Sequence, residues 1–143
     1  MSRPLRLALL VTDLAFLIYW TIGLASLAGL FALPASLMYA DYDNPIVFAW
    51  NWSFLPLDLA FSATGLLAVA AARRGDPRWR SLALLSLAFT MAAGGMAVSF
   101  WMIRQEFNLS WFLPNLALVV WPMIFLRGLI SESGGPAAKE TSP

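Results

Sequence analysis

Cysteine and histidine are both absent from this chain. Without cysteine there is no disulfide framework, no thiolate nucleophile, no iron–sulfur ligation and no CxxC redox pair. Without histidine as well, the usual nitrogen and sulfur ligands of zinc and haem are missing, and isolated carboxylates suit only harder ions; neither a metal site nor a cofactor is expected. Charge is scarce too: charged residues make up 12% of the 143 positions, against about a quarter in soluble domains. A net charge of +1 offers no electrostatic footprint for nucleic acid. What fills the chain instead is apolar sequence, 60% of residues, with a mean hydropathy of +0.72. That composition belongs to membrane proteins.

One domain of this length accommodates four spans of about 20 residues with short loops and no soluble catalytic domain. The expected fold is therefore an all-α integral membrane protein, a bundle of four transmembrane helices over residues 1–130. The first apolar run, 5–33, is opened by Pro4 and closed by Pro34. Its core exceeds the roughly 7–15 apolar residues of a signal peptide, so it reads as a retained helix. Residues 34–52 hold Asp41, Asp43, Tyr39, Tyr42, Phe48, Trp50 and Trp52 but no lysine or arginine, which suits a surface loop ending in an aromatic belt. Asn44 and Pro45 form a helix start, and the second span covers 53–72 with a bend at Pro56. Residues 72–80, ARRGDPRWR, are a tight basic turn in which Asp76 caps and Pro77 starts the third span, 80–104. Ser110 is the expected N-cap of the fourth, 110–130. The remainder, 131–143, has almost nothing to bury and reads as a disordered cytoplasmic tail.

Arginine and lysine decide the orientation. Arg3, Arg6, Arg73, Arg74, Arg78, Arg80, Arg127 and Lys139 fall on one side of these spans and Arg104 alone on the other. By the positive-inside rule both termini face the cytoplasm, in a cell (inner) membrane.

Within the spans the few polar residues are not scattered. Asn51, Asp58, Ser62 and Gly65 are separated by 7, 4 and 3 residues, spacings that return to one helix face. Asp58 lies five residues inside Ser53, or roughly 7–8 Å at 1.5 Å per residue. Asn115 lies five inside Ser110 and Ser99 five inside Arg104, so three helices offer polar groups at one depth. Above them stand Arg104, Asn51 and the indoles of Trp50, Trp52, Trp101 and Trp111. An ionised carboxylate in a bilayer costs at least about 2.5 kcal/mol and normally faces the bundle interior beside a partner. Arg104, Asn115 and the indole N–H groups are the partners expected for Asp58. Its protonation state decides between a general acid and a fixed counter-charge. Asp13 forms a second intramembrane polar site on the cytoplasmic half, with Trp20 on its own face and Ser86, Thr90, Gly65 and Trp121 near its level. It lies something like 10 Å from Asp58 in depth.

Each feature has a plainer reading beside it. Intramembrane aspartates serve as hydrogen-bond glue between helices, glycines allow close packing, and tryptophans anchor interfaces. Met91, Met96 and Met102 fill core.

The strings TDLAFLIYW, DYDNPIVFAWNWSFLPLDLAFSATG, FWMIRQEFNLSWFLPN and the late WP resemble the YvaD family, small bacterial four-span membrane proteins of unknown function. The resemblance runs from residue 12 to about 126. It implies four spans and places Asp13, Asp41, Tyr42, Asn44, Pro45, Trp50, Asn51, Trp52, Ser53, Pro56, Asp58, Ser62, Gly65 and Asn115 at motif positions, without implying an activity.

The functional expectation is an outward-opening polar and aromatic pocket in the membrane that binds or converts an amphipathic, lipid- or isoprenoid-like molecule. Membrane lipid and a hydrophobic small molecule are then its partners. A non-catalytic subunit or assembly factor docked on another membrane protein is the alternative. Proton-coupled transport through Asp13 fits less well, because the charge bias of the loops argues against dual orientation.

Overall fold

The computed structural model describes residues 1–34, 37–39 and 41–133 and contains five α-helices. They are α1 (Arg3–Leu27), α2 (Pro45–Trp52), α3 (Leu55–Arg73), α4 (Trp79–Arg104) and α5 (Leu109–Ser133), with no strand among the described residues. Helix α2 runs almost directly into α3, so four helical segments are long and apolar enough to cross a membrane: 25, 29, 26 and 23 residues. About 20 apolar residues suffice for the hydrocarbon core. The fold is an all-α four-helix bundle, and its apolar helices mark a multi-pass membrane protein.

Local chemistry sets most helix ends. Ser2 and Asn44 cap α1 and α2, each ahead of a proline that needs no donor in the first turn. Helix α1 stops at Leu27 rather than 33, because Gly29 takes φ +77° and the amides of Ala28 and Leu30 fold back onto Leu24 and Ala25. In the basic turn Asp76 accepts from the Arg78 amide at 3.0 Å and from its guanidinium at 2.7 Å, bonds that hold its carboxyl below the usual carboxylate range. Helix α4 consequently starts at Trp79, two residues beyond Pro77. The cap of α5 is Asn108 rather than Ser110: its Oδ1 accepts from the Ser110 amide at 3.1 Å and hydroxyl at 2.6 Å. Helix α5 runs to Ser133, past the expected end at 130; residues 134–143 of the expected tail lie outside the described residues.

Packing follows the order α1, α3, α4, α5, with α3 and α4 the central pair. One core cluster, at the end of the bundle that holds the N-terminus of α1, joins Leu5 and Leu9 of α1 to Ala68 and Val69 of α3, Ala83 and Leu87 of α4, and Leu129 of α5. Glycine governs two close approaches. At Gly65 an added Cβ would run into the Asp13 carboxyl and come within 2.8 Å of Ser86 Oγ, so α1, α3 and α4 converge on its bare Cα. At Gly94 it would lie 2.6 Å from the Asn115 carbonyl oxygen and 2.8 Å from Leu118 Cβ, which brings α5 hard against α4.

Replacing Gly65 by alanine should therefore lower stability by about 1–3 kcal/mol, the usual cost of overpacking. Gly95→Ala, which meets nothing within 4 Å, should be neutral or stabilising by up to about 1 kcal/mol. Thermal unfolding in one detergent compares the two, and adding Asp13→Ala to Gly65→Ala should recover part of the loss.

Candidate functional site

Asp58 sits in the first turn of α3 because the chain breaks at Ser53 and Phe54 before Pro56, whose ring supplies no amide hydrogen. The side chain is 3% exposed. Two features of its surroundings favour a negative group: the N-terminus of α3 and the indole of Trp20, whose Nε1 donates to Oδ2 at 2.9 Å. The other oxygen, Oδ1, is buried without a hydrogen-bond partner.

Asp58 lines a cavity of about 400 Å³. Helix α1 contributes Phe16, Tyr19 and Trp20, and α2 contributes Trp50 and Asn51. Ala93, Ala97 and Trp101 line it from α4 at a strict spacing of four, so two small side chains leave the room. From α5 come Ser110, Trp111, Pro114, Asn115 and Leu118, and Tyr39 reaches over from the connecting segment. Trp50 stacks on Phe100 at 3.8 Å and meets Trp101 edge-on at 5.6 Å, which holds both rings. A second cavity of about 460 Å³ lies beside the first between α1, α2 and the connecting segment, and shares Tyr19, Trp20, Tyr39, Asn51 and Trp111 with it. Across that shared wall Tyr19 donates to Asn51 Oδ1 at 3.4 Å. The Tyr39 hydroxyl is buried without a partner, and desolvation together with nearby Tyr19 raises it above its ordinary pKa, leaving it a neutral donor.

Several expected partnerships are rearranged. Arg104 does not reach Asp58: its Nη2 pairs with Asp41 at 2.7 Å and with Glu106 at 2.8 Å, and it lies over the Phe100 and Trp101 rings. It stands at the very end of α4, a turn beyond Trp101, where two carboxylates are nearer. Ser99 is exposed on the outer surface of α4, because two residues turn it about 200° from Ala97 and Trp101. Trp52 lines the second cavity, not the first. Ser62, one turn below Asp58, is fully buried with its hydroxyl unpartnered and is not part of either wall.

The second polar site also changes. Trp20 serves Asp58 instead of Asp13. Thr90 donates to the Ser86 carbonyl of its own helix at 2.8 Å. Trp121 packs with Phe125 against the core cluster of Leu5, Leu9 and Leu129, its Nε1 unpartnered. Asp13, fully buried with neither oxygen partnered, is packed against Gly65 beside Ser86. It lines neither of the two cavities described above and sits where α1, α3 and α4 converge.

Sequence reasoning missed Phe16, Tyr19, Phe54, Ala93, Ala97, Pro114, Leu118 and Tyr39. Phe16 was signalled by its spacing of three from Asp13, and the alanines by their spacing of four; Tyr19, six residues from Asp13, lies on another face, and Tyr39 had no signal, because the connecting segment carries it there.

A family model described as a family of unknown function, DUF5360, matches residues 5–135. This chain belongs to that family. A curated relative from Bacillus subtilis (strain 168), the "Uncharacterized protein YvaD", is 38% identical over 130 residues, covering 91% of this chain and 94% of the relative. No solved structure matches.

Trp20→Phe removes the single donor on Asp58 and should cost about 1–3 kcal/mol, as expected for an unsatisfied buried acceptor. A double-mutant cycle with Asp58→Leu should show a coupling of similar size. Arg104→Gln should lower the unfolding temperature less than Trp20→Phe does, since its ion pairs are partly exposed.

Proposed function

We propose that this protein binds an amphipathic molecule in the membrane, with the polar end at Asp58 and the apolar body among the aromatic and alanine side chains of the joined cavities. One observation carries the reading: an acidic side chain, 97% shielded and with one oxygen unpartnered, lines a largely apolar cavity. Buried acceptors without partners are rare in folded proteins, and such orphans call for an explanation in function. The volume lies in the range of about 300–1,000 Å³ typical of small-molecule sites, which combine apolar walls with a few placed polar groups.

The expected setting is a cell (inner) membrane with both termini in the cytoplasm, supported by the arrangement of the eight basic residues against the single Arg104. The cavity then lies in the half of the bilayer away from the cytoplasm. Its ligand is recruited from the bilayer or the outer surface. Asp58 acts there as counter-charge or hydrogen-bond acceptor; a proton exchanged with the ligand would pass through Oδ1.

Native mass spectrometry after gentle detergent extraction checks this reading. The wild-type chain should retain a co-purifying amphiphile. Ala97→Trp, which fills the cavity from the α4 wall, should lose it while preserving helix content and unfolding temperature within a few degrees. Equal retention by both would remove the cavity as the binding site.

A further inference from the structure

We infer that the polar end of the ligand is a cation, so that the cavity takes a hydrophobic amine or quaternary ammonium and rejects phosphate- and carboxylate-headed amphiphiles. This inference rests on the amphiphile-binding reading above and adds the sign of the head group.

The first argument is the charge of the wall. Among the residues lining the cavity beside Asp58, that aspartate is the one ionisable acid and there is no lysine or arginine. Arg104, the nearest candidate by sequence, is engaged outside with Asp41 and Glu106. Facing the carboxyl are Tyr19 and Trp20 of α1, Tyr39 of the connecting segment, Asn51 of α2 and Asn115 of α5, all uncharged; α4 contributes Ala93 and Ala97, with Trp101 above. Nothing here can neutralise an anionic head, which would instead meet a like-charged or proton-bearing acid.

Hydrogen-bonding capacity points the same way. Trp20 occupies Oδ2, and Oδ1 remains an acceptor. Helix α5 adds two more acceptors at this wall. Pro114 and Pro122 carry no N–H, so the carbonyls of Ser110 and Leu118, four residues before each, lack their helical donor, and both residues line the cavity. Donors line the same cavity, among them the unpartnered Tyr39 hydroxyl and the Asn115 amide, which gives one N–H to the Trp111 carbonyl at 2.7 Å; they can hydrogen-bond an anionic head but cannot neutralise it.

The aromatic walls supply the third observation. Trp50, Trp101 and Trp111 line the same space, two of them fixed edge-on to each other, and indole faces attract positive charge most strongly where water is excluded. A cavity that is lined by one carboxyl group and by such rings has the chemistry of an organic-cation box.

Three matched probes test this with the full-length protein in phosphatidylcholine nanodiscs: radiolabelled dodecyltrimethylammonium, dodecanol and dodecyl phosphate, each corrected with empty discs. The ammonium should bind saturably, with a Kd at least tenfold below that of dodecanol and of the phosphate. Asp58→Asn should abolish this preference, bringing the Kd of the ammonium to within about twofold of that of dodecanol on the same variant, as expected when the charge-selective contact is lost. Equal saturable binding of all three, or tighter binding of the phosphate, overturns the cationic head while the amphiphile site stands. Failure of every probe overturns both. Should Asp58→Asn not fold, the head-group ranking of the wild-type chain decides by itself.

Discussion

Of the two aspartates buried within the spans, Asp58 is the one with a hydrogen-bond donor among the described residues, and that bond from Trp20 ties α1 to α3. The bond also sets helix register. On α1, Trp20 lies seven residues after Asp13; on α3, Asp58 lies seven residues before Gly65. The helices run antiparallel, so pairing Trp20 with Asp58 brings Asp13 to Gly65 two turns deeper, about 10 Å along the axis. A slip of one turn would set Asp13 against Ser62 or Val69, where a side chain occupies the space its carboxyl needs. One polar contact and one missing Cβ thus specify the same alignment independently. Agreement between local choices of this kind is what distinguishes one packing from its neighbours.

The placement of the one outer arginine has a different logic. Exposed ion pairs contribute little free energy, generally under about 1 kcal/mol. Their value here is positional: Arg104 bridges the end of α4 to Asp41, 63 residues earlier, and to Glu106. Asp41 adopts φ 56°, so the connecting segment turns there, two residues after Tyr39 enters the cavity wall. By holding the cation outside, these carboxylates leave Asp58 as the charge-bearing group of an otherwise uncharged chamber.

Depth was legible in the sequence and azimuth was not. Rise per residue places Asp58 and Asn115, each five positions inside a serine, at one level, and both line the cavity. The same count places Ser99 at that level, yet Ser99 faces outward, because rotation of α4 is set by Gly94 meeting α5 and by Ala93 and Ala97 facing the cavity. Trp20 shares a helix face with Asp13, as its spacing requires, but a long indole reaches the neighbouring helix rather than along its own. The number of spans needed only apolar length. Helix stops depended on single backbone events, such as the positive φ of Gly29, that shortened α1 by a turn and a half.

The distribution of packing then decides which wall of the cavity is firm. Helices α3 and α4 are the central pair, and α1 and α5 each lean on one of them without extensive packing against each other among the described residues. Between α1 and α5 the cavity is bounded chiefly by aromatic edges, Tyr19 against Trp111 at 6.4 Å and Tyr39 against Trp111 at 6.3 Å. Helix α5 carries two prolines, each removing one backbone hydrogen bond from the wall it forms. Motion in proteins is drawn from elements with few buried contacts and interrupted hydrogen bonding. The acid therefore stands on the firm side, with the bulk of α3 and α4 behind it, while its tryptophan donor comes from α1. The side between α1 and α5, bounded by aromatic edges, is the loosely closed one.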